Sequence, residues 1–143
     1  MTPALEQTVP QVRLEIPPQS AYVAIARLAI TSLGRAAGVD EEKLDDLKIA
    51  VSESCANALF ALQESGADSP IEIAFSAGPD ALEVVVSHAG PAVDTGGDEA
   101  DSHGFSTQRV MSMALLRSLV DELDVAPRSG GGVRARLLLR RRS

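Results

Sequence analysis

The stretch Ile49–Leu62, IAVSESCANALFAL, decides how the rest of the chain is read. It is the second half of a long expected helix that opens at Asp40 and runs to about Glu64. Asp40 can cap that helix, and Glu41 and Glu42 fill a first turn where the helix dipole favours acids. Gly66 closes it. Leu44, Leu47, Val51, Cys55, Ala58 and Leu62 recur at helical spacing and form a core stripe, which buries Cys55 as an inert thiol. The other face begins polar, with Glu42, Asp45 and Asp46, then turns apolar at Ile49, Ala56 and Phe60. Glu53 and Asn57 sit in that apolar surround, one helical turn apart on one face. A carboxylate so placed needs a partner, and a well-oriented one can act as a general base. An amide oxygen one turn away can ligate a hard cation such as Mg2+. The same spacing also suits an exposed Glu beside an Asn that bridges to a neighbouring helix, so both readings stay open.

Working outward, Val12, Leu14 and Ile16 alternate with Arg13 and Glu15 as in a half-buried strand, stopped by Pro17 and Pro18. Ser20 can cap a helix from about Ala21 to Ala37, with Ala21, Ile25, Leu28, Ala29 and Leu33 at helical spacing and Gly38 at its end. Strands are expected at Ile71–Ser76 and Leu82–Ser87, joined through Gly78, Pro79 and Asp80. Ile71, Ile73 and Phe75 share one face. A long polar stretch, Ala89 to about Phe105, precedes a helix from about Ser106 to Leu119. Met111 and Met113 lie two apart, so one should face outward or into a pocket. The helix Val110–Val120 reads as core, with an exposed docking face as the alternative. Leu123–Ala126, the turn RSGGG and Val133–Leu139 complete the chain. The order β-α-α-β-β-loop-α-β-β predicts an α+β two-layer sandwich. A mostly antiparallel, mixed sheet of about five strands should be covered on one face by three helices. Residues 1–9 read as a loose N-terminus, 10–140 as a single domain and 141–143 as a basic tail.

Composition bounds the classes. The 143 residues are 45% apolar and 23% charged, which excludes a disordered chain and suffices for one core. No run reaches the roughly 18 apolar residues a membrane helix needs, and MTPALEQTVPQ lacks the pattern of a signal peptide. One cysteine and no leader fit a cytoplasmic protein. Residues 1–127 carry seven basic and 20 acidic side chains, net −13, while 128–143 carry six arginines and no acid. An acidic body argues against direct nucleic-acid binding and suits a basic protein partner. The arginines read as a solvated strand end or as a contact for phosphate or an acidic surface. His103, near Asp101, reads as solvated rather than metal-binding.

AVSESCANA, Ala50–Ala58, resembles the N-box of the GHKL ATPase superfamily, and more narrowly that of the RsbW-like anti-sigma factor serine kinases, roughly A-V-S-E-A-x-x-N-A. The likeness runs from about Ile16 to Leu139. It includes LLRSLVDELDV and the Gly-rich turn before the last strand. It implies a Bergerat-type ATP fold, with Glu53 as general base and Asn57 as Mg2+ ligand. It also implies a sigma factor and a STAS-type anti-sigma antagonist as partners, and possible homodimers.

Other motifs depart from the family. Where its D-x-G-x-G motif places an adenine-binding Asp, this chain has His88-Ala89-Gly90-Pro91-Ala92. Only Gly90 is kept, so His88, Gly90 and Ala92 are the candidate adenine-side residues. A neutral imidazole could accept one hydrogen bond from an amine, or His88 could be structural. The lid glycines fall on Val110 and Ser112, and the nearest glycine, Gly104, is displaced. Asp94, Asp98, Glu99 and Asp101 would repel a triphosphate, and no Lys or Arg precedes Arg109 in that stretch. The Thr of the Gly-rich turn is absent. The expectation is therefore an anti-sigma-like regulator acting by protein contact, with nucleotide binding weak or lost and Glu53 vestigial. The alternatives are an active ATP- and Mg2+-dependent serine kinase acting on an anti-sigma antagonist, or a GHKL-like domain for another signalling partner.

Overall fold

The computed structural model describes residues 11–90 and 103–141. The elements are β1 (Gln11–Ile16), α1 (Ser20–Ala36), α2 (Glu41–Ser65), β2 (Ile71–Ala77), β3 (Ala81–His88), α3 (His103–Leu119), β4 (Glu122–Pro127) and β5 (Val133–Arg140). This is the expected order, with α3 starting three residues early.

The five strands form one sheet in the order β1-β2-β3-β5-β4. All four pairings are antiparallel, in keeping with the mostly antiparallel sheet expected and without its parallel part among the described residues. The reason is topological. The crossover through α3 joins β3 to β4, but the β4–β5 hairpin folds back and inserts β5 between them. Ile71, Ile73 and Phe75 on β2, Leu82, Val84 and Val86 on β3, and Leu137 and Leu139 on β5 are buried on one face, against the helices.

α2 is the central helix. Asp40 caps it by accepting the Lys43 N–H at 2.9 Å. It ends at Gly66, whose φ of +72° suits glycine, with the Ala67 N–H reaching the Leu62 carbonyl at 3.0 Å. The expected stripe is wholly buried, and Ala50, Ser54 and Ala61 join it because helices flank α2 on both sides.

α1 departs from expectation twice. Its N-cap is Gln19, without a side-chain cap bond, and Ser20 is the first helical residue. Its buried face is Ala26, Ile30, Thr31 and Gly34, while Ile25 is 51% and Leu28 68% exposed. Small residues decided this rotation. A Cβ at Gly34 would lie 2.7 Å from the Leu44 side chain, so the glycine lets α1 close on α2. Larger side chains at Ile25 and Leu28 could not sit so near.

The outer face of the sheet explains most of the arginine cluster. Arg128 pairs with Glu72 at 3.2 Å, Arg140 with Glu122 at 2.9 Å, and Arg136 with both Glu83 and Glu122. Arg141 donates to the carbonyls of Gly78 and Ala37. The acidic surface these arginines meet is the chain's own. Such half-exposed pairs add little net stability.

Candidate functional site

A cavity of about 250 Å³ opens between α2, α3 and the adjoining ends of β3, β4 and β5. α2 contributes Ser54, Asn57, Ala58 and Ala61; α3 contributes Arg109, Met113 and Leu116. The sheet side adds Val86, His88, Ala135 and the β4–β5 hairpin around Pro127 and Gly132. Gly132, at φ +111°, is what lets the hairpin lie on β3, since a Cβ there would fall 2.0 Å from the His88 carbonyl oxygen.

Asn57 and His88, both singled out from sequence, meet on this wall. Asn57 Nδ2 donates to Ser112 Oγ at 2.9 Å, so the amide bridges α2 to α3. That is the bridging role left open above. Ser112, at a lid-glycine position of the resemblance, is buried within a continuous helix.

His88 is 6% exposed, and its Nδ1 accepts the Gly90 N–H at 3.1 Å. Burial, followed by the nearby Arg128 charge, lowers its pKa below the ordinary histidine value. The ring is therefore neutral near pH 7, and with Nδ1 accepting, its proton sits on Nε2. The imidazole lone pair that sequence reading offered to an amine is already used by Gly90. The ring nitrogen left over, Nε2, carries the proton and can only donate. Gly90 is buried, and its tight fit against Leu62 and His88 leaves little room for a side chain.

Glu53 is not on this wall. It lines an open groove with Arg27, Lys48, Ile49, Ser52 and Ala56, where Arg27 donates to Ser52 Oγ at 3.2 Å. The apolar surround read from sequence is thus half cationic, because α1 lays Arg27 across it. Gly104 falls in the first turn of α3. Ala92, Asp94, Asp98, Glu99 and Asp101 lie outside the described residues. Met113 faces the cavity and Met111 is 64% exposed, as their spacing predicted. Ser112 and Leu116 make the buried face of α3, continued by Val120 just past its end, and Val110, Met111 and Leu115 make its exposed one. Burial pushes the Cys55 thiol up to about 12, which keeps it protonated and inert.

Sequence reading missed two members of the wall and the buried residue that anchors a third. Ser54 is 4% exposed, and its hydroxyl has no hydrogen-bond partner among the described residues. Ser112 anchors Asn57. Arg109 supplies the only charge on the cavity wall among the described residues, at the helical spacing from Ser112, Met113 and Leu116 that could have revealed it. Among the described residues no group of three His, Cys, Asp or Glu could hold a metal, and the cavity wall carries no carboxylate. Among the described residues Asn57 is its one candidate Mg2+ ligand. With Nδ1 taken by Gly90 and no carboxylate on the described wall, the described residues lack the carboxylate acceptor that the resemblance assigns to the adenine amine.

Residues 16–138 match the family described as the histidine kinase-like ATPase domain. The chain is 29% identical to the serine-protein kinase RsbW of Bacillus pumilus, over 88% of this chain and 84% of that protein. It is 28% identical to the RsbW of Bacillus subtilis over 83% and 79%, and 28% identical to that of Staphylococcus aureus over 83% and 80%. A chain of the SiaB–SiaC complex from Pseudomonas aeruginosa has the same fold, with a TM-score of 0.66 at 10% identity, covering 96% of this chain and 93% of that one. Among the described residues no helix is long and apolar enough to cross a membrane.

Proposed function

Because this chain belongs to the histidine kinase-like ATPase domain family, we propose that it is a cytoplasmic partner-switching regulator. In this reading it sequesters a sigma factor by contact and is released by a STAS-type antagonist. The observation that carries the non-catalytic part is the remodelled cavity wall. Asn57 is bolted to Ser112, and the Nδ1 lone pair of His88 is already taken by the Gly90 N–H. Phosphoryl transfer depends on positioning and electrostatics, and in this reading these groups no longer position ATP. The acids Glu41, Glu42 and Asp45 on the exposed start of α2 suit a basic partner surface. Pull-down with purified sigma factors and antagonists of the host tests this. A stable complex with one sigma factor, displaced by an antagonist, is the expected result. Absence of any such complex would sink the reading.

The second reading is a working serine kinase. The retained Glu53 and Asn57 and the RsbW relatives favour it. Glu53 would then take the proton from the attacking serine of the antagonist, with Arg27 and Lys48 flanking it in the groove. Calorimetric titration with ATP and Mg2+ separates the two readings. No heat of binding at millimolar nucleotide excludes the kinase. If turnover is seen, Glu53→Ala should abolish it while leaving nucleotide affinity nearly intact.

A further inference from the structure

The described wall of the cavity carries one charge on a mostly apolar lining. Asn57 Nδ2 is committed to Ser112, and His88 Nδ1 to the Gly90 N–H. Ala58, Ala61, Val86, Met113, Leu116 and Val125 supply hydrocarbon from both helices and the sheet. Arg109 is half-buried, and among the described residues it pairs with no acid and shares the wall with no carboxylate. A sugar-like ligand would give up its water here for few hydrogen-bond partners. A cationic ligand would meet only the like charge of Arg109. A wholly apolar ligand would leave the guanidinium against hydrocarbon with no counter-charge. A carboxylate suits it, because the planar fork can donate to both oxygens at once. The space, about 250 Å³, is smaller than the pockets that hold drug-sized molecules, so the rest of the ligand must be short.

We propose that this cavity binds a small amphipathic monocarboxylate, whose short aliphatic tail fills the apolar space and whose carboxylate pairs with Arg109. Such a ligand needs neither a metal nor a second cation from the wall. Its tail would touch α2, α3 and the sheet together, so binding ties these elements to one another and stabilises the fold by mass action. The site is filled without any protein partner, and a failed pull-down with sigma factors leaves it standing.

Octanoate is the probe, and two methionines report where it goes. Met113 lines the cavity, whereas Met111 is 64% exposed on the other side of α3. Methionine-methyl NMR of the full chain titrated with octanoate should show a saturable shift of Met113 and none of Met111. Octylammonium has the same tail and the opposite charge, and should bind at least about tenfold more weakly. Arg109→Gln keeps much of the stem and loses the charge. It should weaken octanoate about tenfold and leave octanol unchanged, with circular dichroism confirming that the variant is folded. No shift of Met113 at millimolar octanoate, or a shift confined to Met111, overturns the proposal. Equal binding of octanoate and octylammonium also overturns it, and that comparison needs no variant. Octanoate affinity unchanged in folded Arg109→Gln overturns it as well.

Discussion

Asn57 on α2 and Ser112 on α3 are joined by a 2.9 Å hydrogen bond across 55 residues of chain. Ser112 is buried, so either partner alone leaves a poorly solvated polar group. Ser112→Ala should cost about 1–2 kcal/mol, a fall of a few degrees in Tm. In a double-mutant cycle with Asn57→Ala, the coupling should be about 0.5–1.5 kcal/mol. Strictly additive losses would show that the two side chains do not depend on each other.

The Gly-rich turn holds glycines of unequal importance. A Cβ at Gly132 would lie 2.0 Å from the His88 oxygen, whereas one at Gly130 would meet nothing within 4 Å. Gly132→Ala should therefore cost about 3 kcal/mol or more and open the cavity. Gly130→Ala should cost only the strain of its positive φ, about 1 kcal/mol. Denaturant unfolding of both variants checks this, and similar losses would refute the close approach.

His88 makes stability depend on pH in one direction. Its folded pKa is lowered by burial and Arg128, so the unfolded chain binds the proton first as pH falls. Stability from this group is complete above the ordinary histidine value of about 6.5 and is lost below it, until the folded ring also protonates. Protonation would also set an Nδ1 donor against the Gly90 N–H. Urea unfolding between about pH 7.5 and 5 should show a steeper loss for the native chain than for His88→Asn. Parallel curves would contradict the assignment.

The rotation of α1 gives a further pair. Leu28 is exposed and Ile30 is buried. Leu28→Glu should change stability by less than about 0.5 kcal/mol, and Ile30→Ala should cost about 2–5 kcal/mol. Thermal melts decide between this face and the one read from sequence, because the sequence stripe predicts the opposite order.

Much of the fold was legible because its signals are local. The Asp40 cap, the Leu44–Leu62 stripe, the Gly66 stop and the alternation of Ile71, Ile73 and Phe75 each need only a few neighbouring residues to read. The N-box was legible for the same reason. α1 was misread because hydropathy favoured Ile25 and Leu28, while close approach to Leu44 favoured the face that carries Gly34. The arginine cluster was open to several readings because its acids, Glu72, Glu83 and Glu122, lie on other strands.

The sequence by itself determined the order of elements, the central helix and the family likeness, since periodicity, caps and motif spacing are properties of contiguous chain. The tertiary structure alone decided that Glu53 faces a groove with Arg27 while Asn57 faces the cavity. It alone decided that Asn57 is held by Ser112, and that His88 is buried with its Nδ1 accepting the Gly90 N–H. Those outcomes depend on which distant side chain fills the last hydrogen-bonding position, and in a packed interior that position goes to whatever the sheet and helices bring within about 3 Å.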